Sequence, residues 1–160
     1  AILKKLNFNH LLTFVPLSTI KKIAMIRKLT FSTVYVLDQK SAYDFYVNKL
    51  GFKVHTDAPI GKDNRRLTVT PPDQPEIEIS LLLVTEGDMF TAETVKTVTE
   101  LIKKGTFGHG GFECNDIYAT YEELKSKGVV FAKPPKEEFY GVAAVFQDDS
   151  GNWFSLTQKQ

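Results

Sequence analysis

Cysteine is nearly missing: Cys114 is the single one in 160 residues, so no disulfide can form within the chain. Such scarcity fits a reducing cytoplasm, where we expect the protein to work. Long hydrophobic runs are missing too. None approaches the roughly 20 residues a membrane helix requires, and no membrane partner is expected. Neither sign of charge prevails, with 20 Lys plus Arg against 19 Asp plus Glu and a net charge of +1. That balance excludes bulk electrostatic capture of nucleic acid or of an anionic lipid surface. The rest is ordinary for one globular domain: 42% apolar and 24% charged residues, enough to bury a core unaided by disulfide or metal.

Residues 1–24, AILKKLNFNHLLTFVPLSTIKKIA, differ in pattern from the rest of the chain. Thr13, Pro16, Ser18 and Thr19 interrupt their apolar part, and no small-residue cleavage site appears before Lys21-Lys22. We expect an appended or leader segment, with Met25 as the natural start; a peripheral helix is the other reading. No function is placed there.

From residue 29 onward the pattern is regular. Residues 29–37, LTFSTVYVL, read as a strand. Asp38 and Ser41 offer helix-starting oxygens, Ala42, Phe45, Tyr46 and Leu50 recur at helical spacing, and Gly51 stops the helix. Strands are predicted at 52–56, 65–70 and 76–84, the last two parted by Pro71-Pro72-Asp73-Gln74-Pro75. A connector holds a helix over 92–104, capped by Thr91 and ended by Gly105. The order then restarts: a strand at 109–114, a helix opened by Asp116 and closed by Gly128, and strands at 129–132, 142–147 and 153–157. Asp38 and Asp116, the two helix openers, stand 78 residues apart. The chain is therefore α+β, with two tandem βαβββ modules. Module one is assigned to 28–85, the connector to 86–106 and module two to 107–160, so that 25–160 make one domain.

Three strings carry a family likeness: Phe45-Tyr46 leading to Leu50-Gly51-Phe52, then Phe112-Glu113-Cys114-Asn115-Asp116, then Asp148-Asp149-Ser150-Gly151-Asn152. In order and spacing they resemble the vicinal oxygen chelate superfamily, which includes glyoxalase I, the bleomycin-resistance proteins and extradiol dioxygenases. The resemblance implies that the modules form a curled mixed sheet around a cavity, each making half of a cup around a small molecule, and that a homodimer is expected. It also implies a divalent metal, held by one side chain from the first and last strand of each module, that acts as a Lewis acid.

At the four corresponding positions this chain puts Phe31, Glu78, His109 and Ser155. Only Glu78 and His109 can ligate, so no tight metal and no cofactor are expected; weak divalent binding by that pair is the most allowed. The pair instead suggests a His–carboxylate hydrogen bond serving as a general base. Without the likeness, His109 would read as an ordinary strand residue. Phe31, Thr33, Tyr35, Trp153 and Ser155 are expected to line the ligand cavity, with Glu113 and Thr157 on the same face. A cavity filled by its own side chains is the competing picture. Tyr140 and Phe139, between Pro134-Pro135 and Gly141, are expected on a lid loop. Arg65 and Arg66 could grip a carboxylate, and His55 is expected on the module-one surface, away from the site. The leading expectation is a small-molecule binder without a tight metal. A divergent metal-dependent lyase, isomerase or dioxygenase, or a metal-free catalyst using His109 and Glu78, is the alternative, and a dimeric accessory domain is the third.

Overall fold

The computed structural model describes residues 28–61 and 64–158; the expected leader lies outside them. Module one runs β1 (Phe31–Val36), α1 (Gln39–Tyr43) widening into a π-helical turn (Asp44–Lys49), β2 (Lys53–Ile60), β3 (Asn64–Thr70) and β4 (Glu78–Leu83). After α2 (Ala92–Lys103), module two repeats the order as β5 (His109–Glu113), α3 (Ile117–Ser126), β6 (Val130–Glu138), β7 (Gly141–Gln147) and β8 (Trp153–Gln158). The strands make two four-stranded mixed sheets, ordered β1-β4-β3-β2 and β5-β8-β7-β6, which do not close into a barrel.

The helices α1 and α3 each begin where a carboxylate can satisfy free backbone N–H groups. Asp38 accepts from Ser41 N, and Asp116 accepts from both Tyr118 N and Ala119 N. The hydrogen bond to Ser41 N is the main cause of a lowered Asp38 pKa. Leu50 N reaches back five residues to Phe45 O, the spacing of a π turn. Phe45 and Tyr46, though adjacent, are both buried there.

One core serves both modules. Tyr46 meets Phe154 edge-on, Phe45 stacks on Phe146, and Phe52 meets Phe112 edge-on. Leu67, Val69, Ile79 and Leu81 from the first sheet join the same cluster as Ile117, Leu124, Ala144 and Leu156. By strand alternation, the remaining side chains point to each sheet's other face.

The β7–β8 turn binds the modules further. Asp148 accepts from Tyr46 Oη at 2.8 Å, from Asn152 Nδ2 at 2.9 Å, and from the N–H groups of Ser150, Gly151 and Asn152. Asn152 Nδ2 also donates to Tyr35 O, and Leu37 N donates to Ser150 Oγ. Burial, then the charge of Asp148, pushes the Tyr46 hydroxyl well above its ordinary pKa, so it remains a proton donor.

The expected lid loop is instead a hairpin. β6 runs straight through Pro134 and Pro135, because it is an edge strand with an irregular register between Lys133 and Lys136, where a missing N–H breaks no central ladder. Only Phe139 and Tyr140 remain as the turn, their rings edge-to-face at 4.9 Å, with Phe139 96% exposed.

Candidate functional site

Strand register decides which residues correspond between the modules. Phe31 pairs with Glu78 in the first sheet, and His109 pairs with Trp153 in the second. Phe31 and His109 both open a strand seven residues ahead of a capping aspartate. Trp153, rather than Ser155, is therefore the structural counterpart of Glu78. Ser155 lies opposite Gly111, as Ser80 lies opposite Thr33. Glu78 and Ser155 are therefore not equivalent, because the turn before β8 is shorter than the Pro-rich turn before β4.

The four equivalent positions thus hold two aromatic rings, one carboxylate and one imidazole. Those two donors sit on different sheets. Among the described residues, no three His, Cys, Asp or Glu side chains gather closely enough to hold a metal ion. The residues present do not fit the metal that the fold's relatives would imply.

Between the unpaired edges of β1 and β5 lies a cavity of about 480 Å³. Tyr35, Phe107, Phe112 and Phe154 give it aromatic walls; Thr33, Gln74, His109 and Asn152 give it polar points. Tyr35 is itself wedged between Phe90 and Phe107, each ring centroid 5.6 Å away. Glycine makes the room. A Cβ on Gly110 would come within 2.8 Å of the Phe154 ring, and one on Gly108 would collide with Asn152. Pro71, Gln74, Gly111 and Phe112 also border a second, more polar cavity of about 910 Å³ that runs along α3 past Glu76, Asp116 and Glu123.

Of the residues proposed from sequence, the structure brings His109, Thr33 and Tyr35 to the aromatic cavity. Phe31, Glu78, Trp153, Ser155 and Tyr140 are not among its lining residues. Trp153 lies with its indole nitrogen over Gly105, where a Cβ would meet it at 2.5 Å. Phe31 is 56% exposed, and Tyr140 sits at the hairpin tip.

The expected pairing of His109 with Glu78 is replaced by another. The imidazole beside Glu78 belongs to His55, with Nδ1 3.3 Å from Oε2, and Arg66 Nη2 is 3.8 Å from the same oxygen. These are ion-pair contacts rather than hydrogen bonds, and this buried oxygen has no hydrogen-bond partner among the described residues. A register shift in β2 between Val54 and Thr56 leaves His55 as the extra residue, and such bulges re-aim side chains. His55 thus stands beside Glu78, outside the residues that line the aromatic cavity. Arg65, by contrast, is a structural residue, bonded to Asp57 and Gln39 O and held over the Tyr43 ring.

Three comparisons bear on this arrangement. The profile of the Glyoxalase/Bleomycin resistance protein/Dioxygenase superfamily matches residues 23–156. The YetH protein of Bacillus subtilis (strain 168) is 32% identical over 134 residues, covering 84% of this chain and all of that one. The crystal structure of UcmS2 superposes with a TM-score of 0.78 at 45% identity, covering 83% of this chain and 98% of that one. That of TnmS3, an antibiotic binding protein from Streptomyces sp. CB03234, gives 0.65 at 27% identity, with coverages of 86% and 99%. With its duplicated βαβββ order and paired mixed sheets, the chain belongs to the glyoxalase/bleomycin resistance protein/dioxygenase superfamily.

Proposed function

We propose that this protein binds a flat, uncharged organic molecule between its modules and holds it without a tightly bound metal. The aromatic cavity between β1 and β5 carries this reading. Four rings surround it, and His109 supplies its one imidazole, able to donate or accept a hydrogen bond. A pocket of this size, largely apolar with few polar points, suits a ligand of a few fused rings that stacks and accepts or donates one or two hydrogen bonds. The antibiotic-binding description of TnmS3 supports sequestration over turnover.

The test uses 2-methoxynaphthalene added to ¹⁵N-labelled protein in the presence of EDTA. Saturable shifts of the backbone amides of β5, with those of Ser32, Thr33 and Tyr35, are expected, together with a raised melting temperature. His109→Ala should weaken binding about fivefold, the scale of one lost buried hydrogen bond. Binding that requires a divalent ion, or shifts confined to other surfaces, would overturn the proposal in favour of a metal-dependent enzyme or an accessory domain.

A further inference from the structure

Of the polar points on the aromatic cavity, Thr33, Gln74, His109 and Asn152, the last alone is buried, at 2% exposure. Both hydrogens of the Asn152 amide are committed. Nδ2 donates to Asp148 Oδ2 at 2.9 Å and to the Tyr35 carbonyl at 3.0 Å. Each partner is an acceptor, so the amide cannot turn over and Oδ1 is held in one direction. A Cβ on Gly108, another residue of the cavity wall, would collide with Oδ1, so glycine keeps the space beside this oxygen open.

That oxygen accepts no hydrogen bond among the described residues. It is not sealed in either, because the enclosed side-chain atoms without a partner there are Glu78 Oε2 and Thr68 Oγ1. Asn152 thus brings to the cavity a fixed acceptor with lone pairs to spare. The other three points have no fixed role. The Thr33 hydroxyl donates or accepts, the His109 imidazole does either according to its tautomer, and the Gln74 amide carries both groups. Behind Asn152, the Asp148 carboxylate draws on the amide N–H, which makes Oδ1 more negative and hence a stronger acceptor.

We infer that Asn152 Oδ1 sets the polarity of the ligand: the bound molecule presents a hydrogen-bond donor, O–H or N–H, on the edge of its ring. An ether or ketone oxygen at that point would face Oδ1 with lone pairs opposed. A carboxylate or phenolate would add repulsion from the Asp148 charge behind it. The inference rests on the proposed function and deepens it, from a flat molecule to one with a donor hydrogen on its edge. Phenols and indole-like heterocycles share that chemistry.

Paired probes separate the donors and the two proposals. 2-Naphthol and 2-methoxynaphthalene differ by the methyl group that replaces the hydroxyl proton, and indole and 1-methylindole differ in the same way at nitrogen. In titrations followed by ¹⁵N NMR, the first member of each pair should bind about five to ten times tighter. Only 2-naphthol and indole should shift the side-chain amide signal of Asn152. Asn152→Ala should abolish the preference; because it also unties Asp148 and Tyr35, the amide signal of the unsubstituted protein reads the same contact without it. His109→Ala should weaken 2-naphthol and its ether alike and leave their ratio unchanged. If the ether binds in the cavity but both ratios are near one, or the preference disappears in the His109→Ala protein, or the Asn152 amide signal stays still, the inference is wrong and the binding function stands. A preference in the naphthalene pair alone overturns the N–H half of the inference, and one in the indole pair alone overturns the O–H half. Failure of all four probes to bind overturns the function with it.

Discussion

Asp148 shows how much one side chain can fix. Its carboxylate is surrounded by five donors, two of them side chains that are themselves buried or nearly so. Asp148→Ala strands the Tyr46 hydroxyl and the Asn152 amide, and should cost about 3 kcal/mol or more, read as a lower urea midpoint. Tyr46→Phe removes a single donor and should cost about 1–2 kcal/mol in the same measurement. Its neighbour Asp149 carries a pH signature. Although its surface is exposed, surrounding atoms desolvate the carboxyl and raise its pKa above the ordinary 3.8. The folded state then binds more protons than the unfolded one. Its contribution is fully present below 3.8 and is lost as pH rises through the raised value. Asp38 has the opposite sign: its contribution is present above 3.8 and is lost as pH falls through its lowered value. Denaturation across this range should show Asp149→Asn gaining stability relative to the parent as pH rises from 3.8.

At the scale of elements, α2 is fastened to module two through Gly151. Its φ is +112°, and a Cβ there would come 2.5 Å from the carbonyl oxygen of Ile102. Gly151→Ala should therefore lift the helix off the turn and lower stability by about 2–4 kcal/mol, visible as a lower melting temperature. Thr91→Ala, removing the cap that accepts from Thr94 N, should cost about 1 kcal/mol. The order of elements was legible because strands, capping aspartates and closing glycines recur twice in the same sequence. β6 was misread because two prolines usually break a strand, and edge position is not written locally. Thr33 and Tyr35 were legible as cavity-facing by strand alternation, whereas His109 was singled out by the family likeness. Nothing in the sequence singled out His55 as the neighbour of Glu78, and Glu78 and Ser155 were taken as equivalent although unequal turns set them two residues apart in register. Only cross-strand pairing carries that information.

As a whole molecule, the protein leaves the outer faces of both sheets with apolar side chains at their edges, Phe31 and Val130 among them. The expectation of a homodimer is tested by light scattering during gel filtration, where twice the chain mass should appear. Metal analysis after dialysis should find far less than one divalent ion per chain; near-stoichiometric zinc, nickel or iron would restore the enzyme reading. The aromatic bridge between the modules also has a temporal side. Tyr46 finds its acceptor 102 residues later, and Leu37 bonds to a residue 113 positions on. A ribosome adding about 5–20 residues per second therefore exposes Phe45 and Tyr46 for on the order of 5–20 s before Phe146 and Phe154 arrive to cover them. The nascent first half must be shielded for that interval, and a chain stalled before β8 is a substrate for chaperones or proteases rather than half of a working protein.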